Sequence, residues 1–262
     1  MDVSIIKKKI EKLDPKILGL TKIKINSFKK LGMGYSNLNY LVNISDKLFN
    51  CRINLDKGSS GNLKNEFNNL KLIEKLGISA KPYYLDNNFM LIDFIEGKIF
   101  PRNNKKYPIT DIKNLAKTLS ILHNSGLNSE NVSKDQWIKH FLYIIKIINE
   151  NTGNKHKEFF KNLLKIIKLK IQAIKNHPYC IIHGDLAPQN IINTVKEVKL
   201  IDLEDLQYSD PAEDIGQLIA QFGFNENFMK IFMDKYKTKD KNLLYRAKIM
   251  HKYLHFQIFY GN

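Results

Sequence analysis

The sequence contains little cysteine and no long hydrophobic run, and each shortage excludes a class of protein. Two cysteines in 262 residues cannot form the disulfide framework of a small secreted domain. The most apolar stretch, residues 141–148, is interrupted by Lys146 and is far shorter than the roughly 20 residues of a membrane-spanning helix. The N-terminal lysines follow the first apolar residues, the reverse of the order in a signal peptide. We therefore expect reduced thiols, no membrane span and a cytoplasmic location.

Arginine is also scarce, although positive charge dominates the chain. The formal net charge is +16, and 39 of the 42 basic residues are lysines, because only Arg52, Arg102 and Arg246 are arginines. Proteins that read nucleic acids favour arginine, whose planar guanidinium matches phosphates and guanine edges. Lysines scattered through Asn- and Ile-rich sequence indicate a compositional bias instead. The composition thus disfavours a nucleic-acid partner. Apolar residues make up 43% of the chain, enough for a folded core.

The first 96 residues have the alternating pattern that is typical of β-strands. A helical pattern over residues 3–18, interrupted at Asp14-Pro15, precedes the strands. A second helix is predicted over residues 63–76, with Gly77 as its C-cap. The predicted strands cover residues 23–28, 38–42, 48–53, 83–85 and 89–92.

From about residue 97 the pattern becomes mainly helical. Thr110 is the expected N-cap of a helix that extends to His123. A β-rich segment over residues 179–203 interrupts the helices. The other predicted helices cover residues 134–149 and 156–176 and the region after about residue 211. We place the boundary near Gly97, which divides the chain into residues 1–96 and 97–262.

The β-rich segment carries the side chains that most strongly indicate chemistry. Asp185, Asn190 and Asp202 bear oxygen atoms at the ends of apolar strands. A carboxylate and a carboxamide suit Mg²⁺, which prefers oxygen ligands, and a second, separate carboxylate suits the orientation of a hydroxyl nucleophile. Each residue alone is more often an ordinary turn or strand-end residue. Their joint spacing, H-x-D-x-x-x-x-N followed by an Asp between apolar residues, is that of a kinase-like catalytic loop.

Two features of the first 96 residues fit such a kinase. The Gly-x-Gly turn at Gly32 and Gly34 can cover phosphates, with Ser36 and Asn37 as further donors, although a simple hairpin is an alternative explanation. Arg52 interrupts an apolar strand, and a buried cation needs a partner, for which Glu66 is the natural candidate. The alternative for Arg52 is a surface cation on an edge strand.

These motifs resemble those of the aminoglycoside phosphotransferase and choline kinase superfamily. His183-Gly184-Asp185 with Asn190, followed by Ile201-Asp202-Leu203-Glu204, matches its signature. Residues 210–216 match the D-P-x-x-D-[IL]-[AG] element that follows in these kinases, and residues 31–37 resemble their nucleotide loop. The resemblance covers most of the chain. It implies an α+β, protein-kinase-like bilobal fold, with a β-rich nucleotide-binding lobe (1–96) and a mainly helical lobe for catalysis and substrate binding (97–262).

The resemblance also implies the reaction and the residues that perform it. The enzyme would use ATP and Mg²⁺ to phosphorylate a hydroxyl group of a small molecule, with Asp185 as the catalytic base and Asn190 and Asp202 as metal ligands. Asp214 would brace the catalytic loop, and His123 and His183 would be structural. The candidate ATP-binding residues are Gly34, Ser36, Asn37, Arg52, Glu66, Asp93, Phe94 and Ile95, the last three forming a hinge whose backbone would bind adenine.

The acceptor favoured by the sequence is choline-like or ethanolamine-like. Glu204 and Asp205 are candidate substrate-binding residues that could meet one ammonium group, and the few acidic residues after Asp214 argue against a polycationic aminoglycoside. Aminoglycosides, thiamine and sugars stay open as acceptors, as do a pseudokinase and a basic nucleic-acid-binding module as non-enzymatic alternatives. Choline kinases usually have Asn where this chain has Gly184 and Trp where it has Leu203. Aromatic candidates for a cation–π cage, which are more often core residues, are Tyr236, Tyr245, Tyr253, Phe256, Phe259 and Tyr260.

Overall fold

The structure, a computed structural model, describes residues 3–33, 37–54, 60–101, 107–127, 161, 179–248 and 250–251. The chain divides into two compact units, residues 1–98 with 194–204 and residues 99–193 with 205–262. Asp202 therefore belongs to the first unit, whereas Asp185 and Asn190 belong to the second. The assignment of nucleotide binding to residues 1–96 and of catalysis to residues 97–262 stays a prediction.

The first unit is built on a five-stranded antiparallel sheet. Its core contains Ile6 and Ile10 of the first helix together with apolar residues of the sheet such as Val42, Phe49 and Leu91. The elements of this part are α1 (Val3–Glu11), a 3-10 helix (Pro15–Leu18), β1 (Ile25–Met33), β2 (Asn37–Ile44), β3 (Lys47–Asn54), α2 (Ser60–Ile73), β4 (Pro82–Leu85) and β5 (Phe89–Asp93). The strand order in the sheet is β1-β2-β3-β5-β4. Strand β6 (Lys98–Ile99) lies at the boundary between the two units. The strands and helices predicted for this region are present, but the first strand runs from Ile25 to Met33 instead of over residues 23–28. Gly32 of the predicted turn therefore lies in the sheet, paired with Asn39.

Helix α2 forms because apolar residues recur on one face, and Leu63, Leu70 and Ile73 of that face are buried. The helix tightens into a 3-10 turn at Glu74–Leu76 and ends at Gly77, whose φ is 66°. A left-handed residue at this position costs least when it is glycine, so the predicted C-cap is confirmed.

The second unit is helical around the short strands β7 (Cys180–Ile182) and β10 (Gln207–Ser209), which pair antiparallel. Strand β8 (Ile191–Asn193) belongs to this unit, and β9 (Val198–Leu200) belongs to the first. The helices of the second unit include α3 (Ile109–His123), α4 (Ala212–Phe222) and α5 (Glu226–Tyr236), and residues 243–248 are helical too. None of the helices in the described ranges has the length and apolarity that a membrane span needs. The helices predicted over residues 134–149 and 156–176 lie outside the described residues, apart from residue 161.

One predicted helix boundary is wrong. Helix α3 begins at Ile109, and the residue before it is Pro108, so Thr110 is not the N-cap. The Pro108 carbonyl accepts hydrogen bonds from the amides of Asp111 and Ile112 at 3.0 and 3.2 Å, which starts the helix before Thr110. The fixed φ of proline suits a helix start, and this backbone preference outweighed the side-chain cap that the sequence suggested.

Candidate active site

In the first unit, a buried guanidinium lies between two carboxylates. Arg52 is on β3, an interior strand of the sheet, and its side chain is 11% exposed. Its guanidinium pairs with Glu66 of α2, which is 2% exposed, and also donates from Nη2 to Oδ1 of Asp202 at 3.2 Å. The predicted Arg52–Glu66 ion pair is confirmed, and the edge-strand alternative is wrong. The strand, the helix and the turn at Asp202 thus converge on one cation.

Burial changes the acidity of Glu66. Desolvation raises the pKa of Glu66 to about 7, and the negative charges of Asp202 and Glu204 also raise it, while the Arg52 guanidinium opposes the shift. Two carboxylates thus compete for the charge of Arg52. A phosphate approaching Arg52 would meet a cation that is already held in place.

Asp202 itself has a left-handed backbone, with φ at 61°. Non-glycine residues rarely adopt this conformation, and it persists where the surrounding structure fixes it. Asp202 follows β9 and precedes a single 3-10 turn at Leu203–Asp205. The backbone geometry therefore sets the direction of the Asp202 side chain, which contacts Arg52.

In the second unit, Asp185 and Asn190 are tied together within the loop between β7 and β8. The amide nitrogen Nδ2 of Asn190 donates to the backbone oxygen and to Oδ2 of Asp185, both at 2.9 Å. Asp185 is half-buried and Asn190 is buried. Since the nitrogen end of the amide is committed to Asp185, the oxygen end is the atom of Asn190 that could bind Mg²⁺.

Asp214, near the start of α4, holds the chain just before Asp185. Its carboxylate accepts hydrogen bonds from the backbone amides of His183 at 2.8 Å and Gly184 at 3.1 Å. Nε2 of His123 lies 3.0 Å from the same carboxylate, and the other ring nitrogen of His123 lies 2.6 Å from the hydroxyl of Tyr236. The predicted bracing contact of Asp214 and the predicted structural role of His123 are confirmed.

These contacts also determine the ionisation of Asp214. Complete burial by itself would raise its pKa, but the hydrogen bond from His123, the charges of His123 and His183 and the backbone amide of His183 outweigh it. The pKa of Asp214 is therefore held below its usual value. The group is a permanent anion at neutral pH, to which two backbone amides are anchored.

Gln217, which was not among the residues predicted from the sequence, is part of this brace. Gln217 lies one turn after Asp214 on α4, is buried, and donates from Nε2 to the backbone oxygen of Gly184 at 2.8 Å. The i, i+3 spacing from Asp214 places both side chains on one helix face, and this spacing was visible in the sequence. Helix α4 therefore fixes both backbone polar groups of Gly184.

Gly184 has no room for a side chain. Its φ is 85°, and a Cβ atom built on it would lie 2.2 Å from the backbone oxygen of Asp205. The backbone of Asp205 thus packs directly on the loop at this glycine. This contact gives a physical reason for the departure from the Asn that choline kinases usually have here.

The predicted hinge follows β5. The amide of Asp93 donates to Lys81 O at 2.9 Å, and the amide of Phe94 donates to Leu48 O at 3.3 Å. The hydroxyl of Tyr83 donates to the Asp93 carboxylate at 2.8 Å. Both amides are thus committed to the sheet, and Ile95 carries the next amide that could reach a ligand. Adenine binding by these residues stays a prediction.

The remaining candidates are residues predicted to bind nucleotide or substrate, aromatic residues predicted to form a cage, and residues that lie outside the described ranges. Asn37 is buried in β2 opposite Asn54, Glu204 is half-buried, and Asp205 is exposed. Tyr236 is 2% exposed and packs against Phe232 and His123, so its proposed place in a cation–π cage is wrong, whereas Tyr245 is 63% exposed. Residues outside the described ranges are Gly34, Ser36, Tyr253, Phe256, Phe259 and Tyr260.

The described residues contain no cluster of three or more His, Cys, Asp or Glu side chains that could hold a metal ion. A kinase-type magnesium site does not need one, because Mg²⁺ keeps several waters and is bound by one or two protein oxygens together with substrate phosphates. The donor set of Asp202 and Asn190, a carboxylate and a carboxamide, fits that chemistry.

The chain is similar to known phosphotransferases over most of its length. A family model described as "Phosphotransferase enzyme family" matches residues 27–245. The Protein LicA homolog of Mycoplasma capricolum subsp. capricolum (strain California kid) is 26% identical over 193 residues, which cover 72% of this chain and 76% of the relative.

Two solved structures have the same fold. The choline kinase LicA from Streptococcus pneumoniae matches with a TM-score of 0.67 and 22% identity, over 95% of this chain and 86% of the other. The streptomycin–ATP–APH(2″)-IIa ternary complex matches with a TM-score of 0.72 and 18% identity, over 100% of this chain and 91% of the other. The predicted α+β, kinase-like fold is confirmed.

Proposed function

Since this chain belongs to the phosphotransferase enzyme family, we propose that it transfers the γ-phosphoryl group of ATP to the hydroxyl group of a choline-like or ethanolamine-like acceptor. The family match confirms the predicted class, a small-molecule phosphotransferase. The nucleotide, the acceptor and the roles of individual residues are the proposal. A cytoplasmic location also stays a prediction.

The observation that carries the proposal is the position of Arg52. Its guanidinium is held by Glu66 and contacts Asp202, the residue whose motif predicts a metal ligand. In kinases the corresponding strand residue is a Lys that pairs with a helix Glu and contacts the α- and β-phosphates. Arg52 supplies the same positive charge with a planar fork that can bind two phosphate oxygens at once.

Asn190 and Asp202 are the residues that would hold Mg²⁺. The proposal rests on their spacing in the motif and on their oxygen donors. Bound Mg²⁺ would neutralise charge on the phosphates as the γ-phosphoryl group is transferred. The contribution of the chain is to hold these oxygens in place, through the left-handed backbone at Asp202 and the Asp185 contact at Asn190.

Asp185 would orient the acceptor hydroxyl and take its proton. The hydroxyl oxygen forms the new bond to the γ-phosphorus, the bond from that phosphorus to the bridging oxygen breaks, and ADP leaves with the electron pair. Asn190 donates to one carboxylate oxygen of Asp185, which fixes the orientation of the carboxylate toward the acceptor.

Ile95 would contribute the hinge amide that binds adenine. The amides of Asp93 and Phe94 already donate to backbone carbonyls, so the first amide after the sheet belongs to Ile95. Because this contact uses the backbone, the side chain at this position is under little constraint.

The named relatives favour an amino alcohol as acceptor. One relative is called a LicA homolog, and the solved LicA structure is described as a choline kinase. Glu204 and Asp205 lie two and three residues after Asp202 and would supply the carboxylates that a single ammonium group needs. Tyr236 does not contribute to a cage, so the support comes from these carboxylates rather than from aromatic residues.

A panel of acceptors tests the proposal. ADP release from ATP would be measured with choline, ethanolamine, thiamine, simple sugars and kanamycin-type aminoglycosides, with Asp185→Asn as the inactive control. We expect turnover with choline or ethanolamine. Phosphorylation of kanamycin and of no other compound would show that the proposed acceptor is wrong while supporting kinase activity. A pseudokinase would turn over none of them, and the presence of Asp185, Asn190 and Asp202 argues against that alternative.

A further inference from the structure

Helix α2 reaches the turn after Asp202 through two carboxamide side chains. Nδ2 of Asn69 donates to the backbone oxygen of Leu203 at 2.7 Å, and Nδ2 of Asn65 donates to the backbone oxygen of Glu204 at 2.6 Å. Asn69 is 7% exposed. Residues four apart lie on one face of a helix, and Glu66 lies on the same face. One side of α2 therefore holds both Arg52 and the turn that follows Asp202.

The backbone of the turn after Asp202 needs hydrogen bonds from other parts of the chain. Asp202 is left-handed, with φ at 61°, and Leu203–Asp205 form a single 3-10 turn. A short turn leaves backbone carbonyls without partners of its own, and a left-handed aspartate persists only where neighbours fix it. The two asparagines bind the first two carbonyls after Asp202. They act on the backbone, whereas Arg52 acts on the carboxylate.

We propose that Asn65 and Asn69 are positioning residues for Asp202, which keep its carboxylate in the orientation that binds magnesium. The inference rests on the proposed function, because it assigns a purpose to residues behind a proposed metal ligand. Groups that orient metal ligands typically change metal affinity by about 10–100-fold when they are removed. Removal of either asparagine should therefore weaken magnesium-dependent nucleotide binding and should change binding of the nucleotide without magnesium only slightly.

The helix offers a matched control. Asn68 has the same side chain and adjoins Asn69 in sequence, but it is exposed. Asn68→Ala removes a carboxamide from α2 without touching the turn. Asn69→Leu keeps nearly the same volume at the buried position and removes the donor. Asn65→Ala removes the second donor at an exposed position, where a substitution leaves the core intact.

The test uses ADP with and without Mg²⁺ as the probe, and the whole chain. The ADP dissociation constant would be measured with and without Mg²⁺ for each variant. Amide hydrogen exchange over residues 202–206 would be followed in the ligand-free protein. We expect Asn69→Leu to reduce the magnesium-dependent gain in ADP affinity by about tenfold. The same variant should exchange faster over this segment. Asn65→Ala should change both quantities in the same direction, and Asn68→Ala should match the wild type.

The outcomes separate a positioning role from a structural one. Equal loss of ADP affinity with and without Mg²⁺ would mean that the asparagines only support the fold, and it would overturn the inference. A wild-type magnesium dependence in both Asn69→Leu and Asn65→Ala would overturn it too. If Asn69→Leu does not fold, Asn65→Ala decides alone. Absence of magnesium-dependent ADP binding in the wild type would instead contradict the proposed function.

Discussion

The two aspartates of the motif are held in different ways, and this difference predicts different mutant behaviour. Asp185 accepts a hydrogen bond from Asn190 and is half-buried in its loop. Asp202 contacts Arg52 and has a left-handed backbone. Asp202 thus contacts a residue proposed to bind phosphate, whereas the contacts of Asp185 with other described residues lie within its own loop. Their proposed roles, metal ligand and base, can therefore be separated.

We predict that Asp202→Ala abolishes magnesium-dependent ATP binding, because it removes a charged side chain that is the proposed metal ligand. Asp185→Asn should leave ATP affinity nearly unchanged and lower kcat by about 10²–10⁴-fold, the usual contribution of a positioned base. Calorimetric titration with Mg-ATP and steady-state kinetics measure the two effects. Asp234→Asn, at an exposed position on α5, serves as the control. Equal loss of ATP binding in both variants would refute these roles.

Gly184 provides a second prediction at the scale of a single residue. Gly184 and Gly126 both have positive φ, 85° and 67°, but only Gly184 has a backbone oxygen where a Cβ atom would lie. Gly126→Ala should lower the free energy of unfolding by about 1 kcal/mol, the usual cost of the left-handed conformation for a residue with a side chain.

Gly184→Ala should lower the free energy of unfolding by clearly more than Gly126→Ala does. It should also lower kcat, because the new Cβ would lie 2.2 Å from the backbone oxygen of Asp205 and the loop or the turn at Asp205 must move. Urea unfolding of the pair, together with kcat, checks this. Similar free energies of unfolding for the two variants would show that the turn yields without cost.

Among the secondary-structure elements, α4 fixes the backbone just before Asp185, the proposed base. Its first turn presents Asp214 to two backbone amides, and its next turn presents Gln217 to the Gly184 carbonyl. The helix is itself fixed at its start, because Oδ1 of Asp210 accepts from the Ala212 amide and the Asp210 carboxylate pairs with the buried Arg246. The backbone just before Asp185 is therefore held by three hydrogen bonds with side chains of this helix.

Asp214→Asn should destabilise the protein and lower kcat, while KM for ATP changes little. The variant has nearly the same shape but lacks the negative charge that contacts two backbone amides and His123. Loss of one partner of a buried pair lowers the free energy of unfolding by about 3–5 kcal/mol. The pH dependence gives a second signature. The pKa of Asp214 is lowered in the fold, so its contribution to stability is present above the pKa of the unfolded chain and is lost as the pH falls.

The free energy of unfolding should consequently fall less steeply with acid in Asp214→Asn than in the wild type. Urea unfolding at several pH values from neutral to about pH 3 measures the two slopes. Glu226→Gln, at the exposed first position of α5, is the control. Identical acid dependence in Asp214→Asn and the wild type would contradict the ionised role of Asp214.

The elements also show how far the sequence could predict this molecule. Alternation and helical spacing located the strands of the first unit and α2, because these patterns are local. Electrostatics predicted the Arg52–Glu66 pair, since a cation on an apolar strand needs a partner. The left-handed backbone of Asp202 and the contact at Gly184 depend on residues far apart in sequence. The asparagines of α2 were hidden by a composition in which asparagine is common.

At the scale of the whole molecule, the net charge of +16 could serve either a nucleic-acid-binding surface or a nucleotide site. A nucleic-acid-binding surface and a nucleotide site make different demands. The first needs many cations spread over a face, and its affinity falls steeply with salt concentration. The second needs one well-held cation, which Arg52 supplies between Glu66 and Asp202. The structure fits the second demand, and the lysines fit a solvated surface.

We therefore predict that Mg-ATP stabilises the protein and that duplex DNA does not at physiological salt. A ligand at about 100 times its Kd should raise the free energy of unfolding by about 2.7 kcal/mol. Thermal unfolding with millimolar Mg-ATP, with 20-base-pair DNA and with neither would separate the two functions, and Asp202→Ala should lose the response to Mg-ATP. Stabilisation by DNA that disappears as salt is raised, without any response to Mg-ATP, would refute the kinase. Stabilisation by Mg-ATP and not by DNA would instead mean that the specificity for Mg-ATP follows from three side chains, Arg52, Glu66 and Asp202, rather than from net charge.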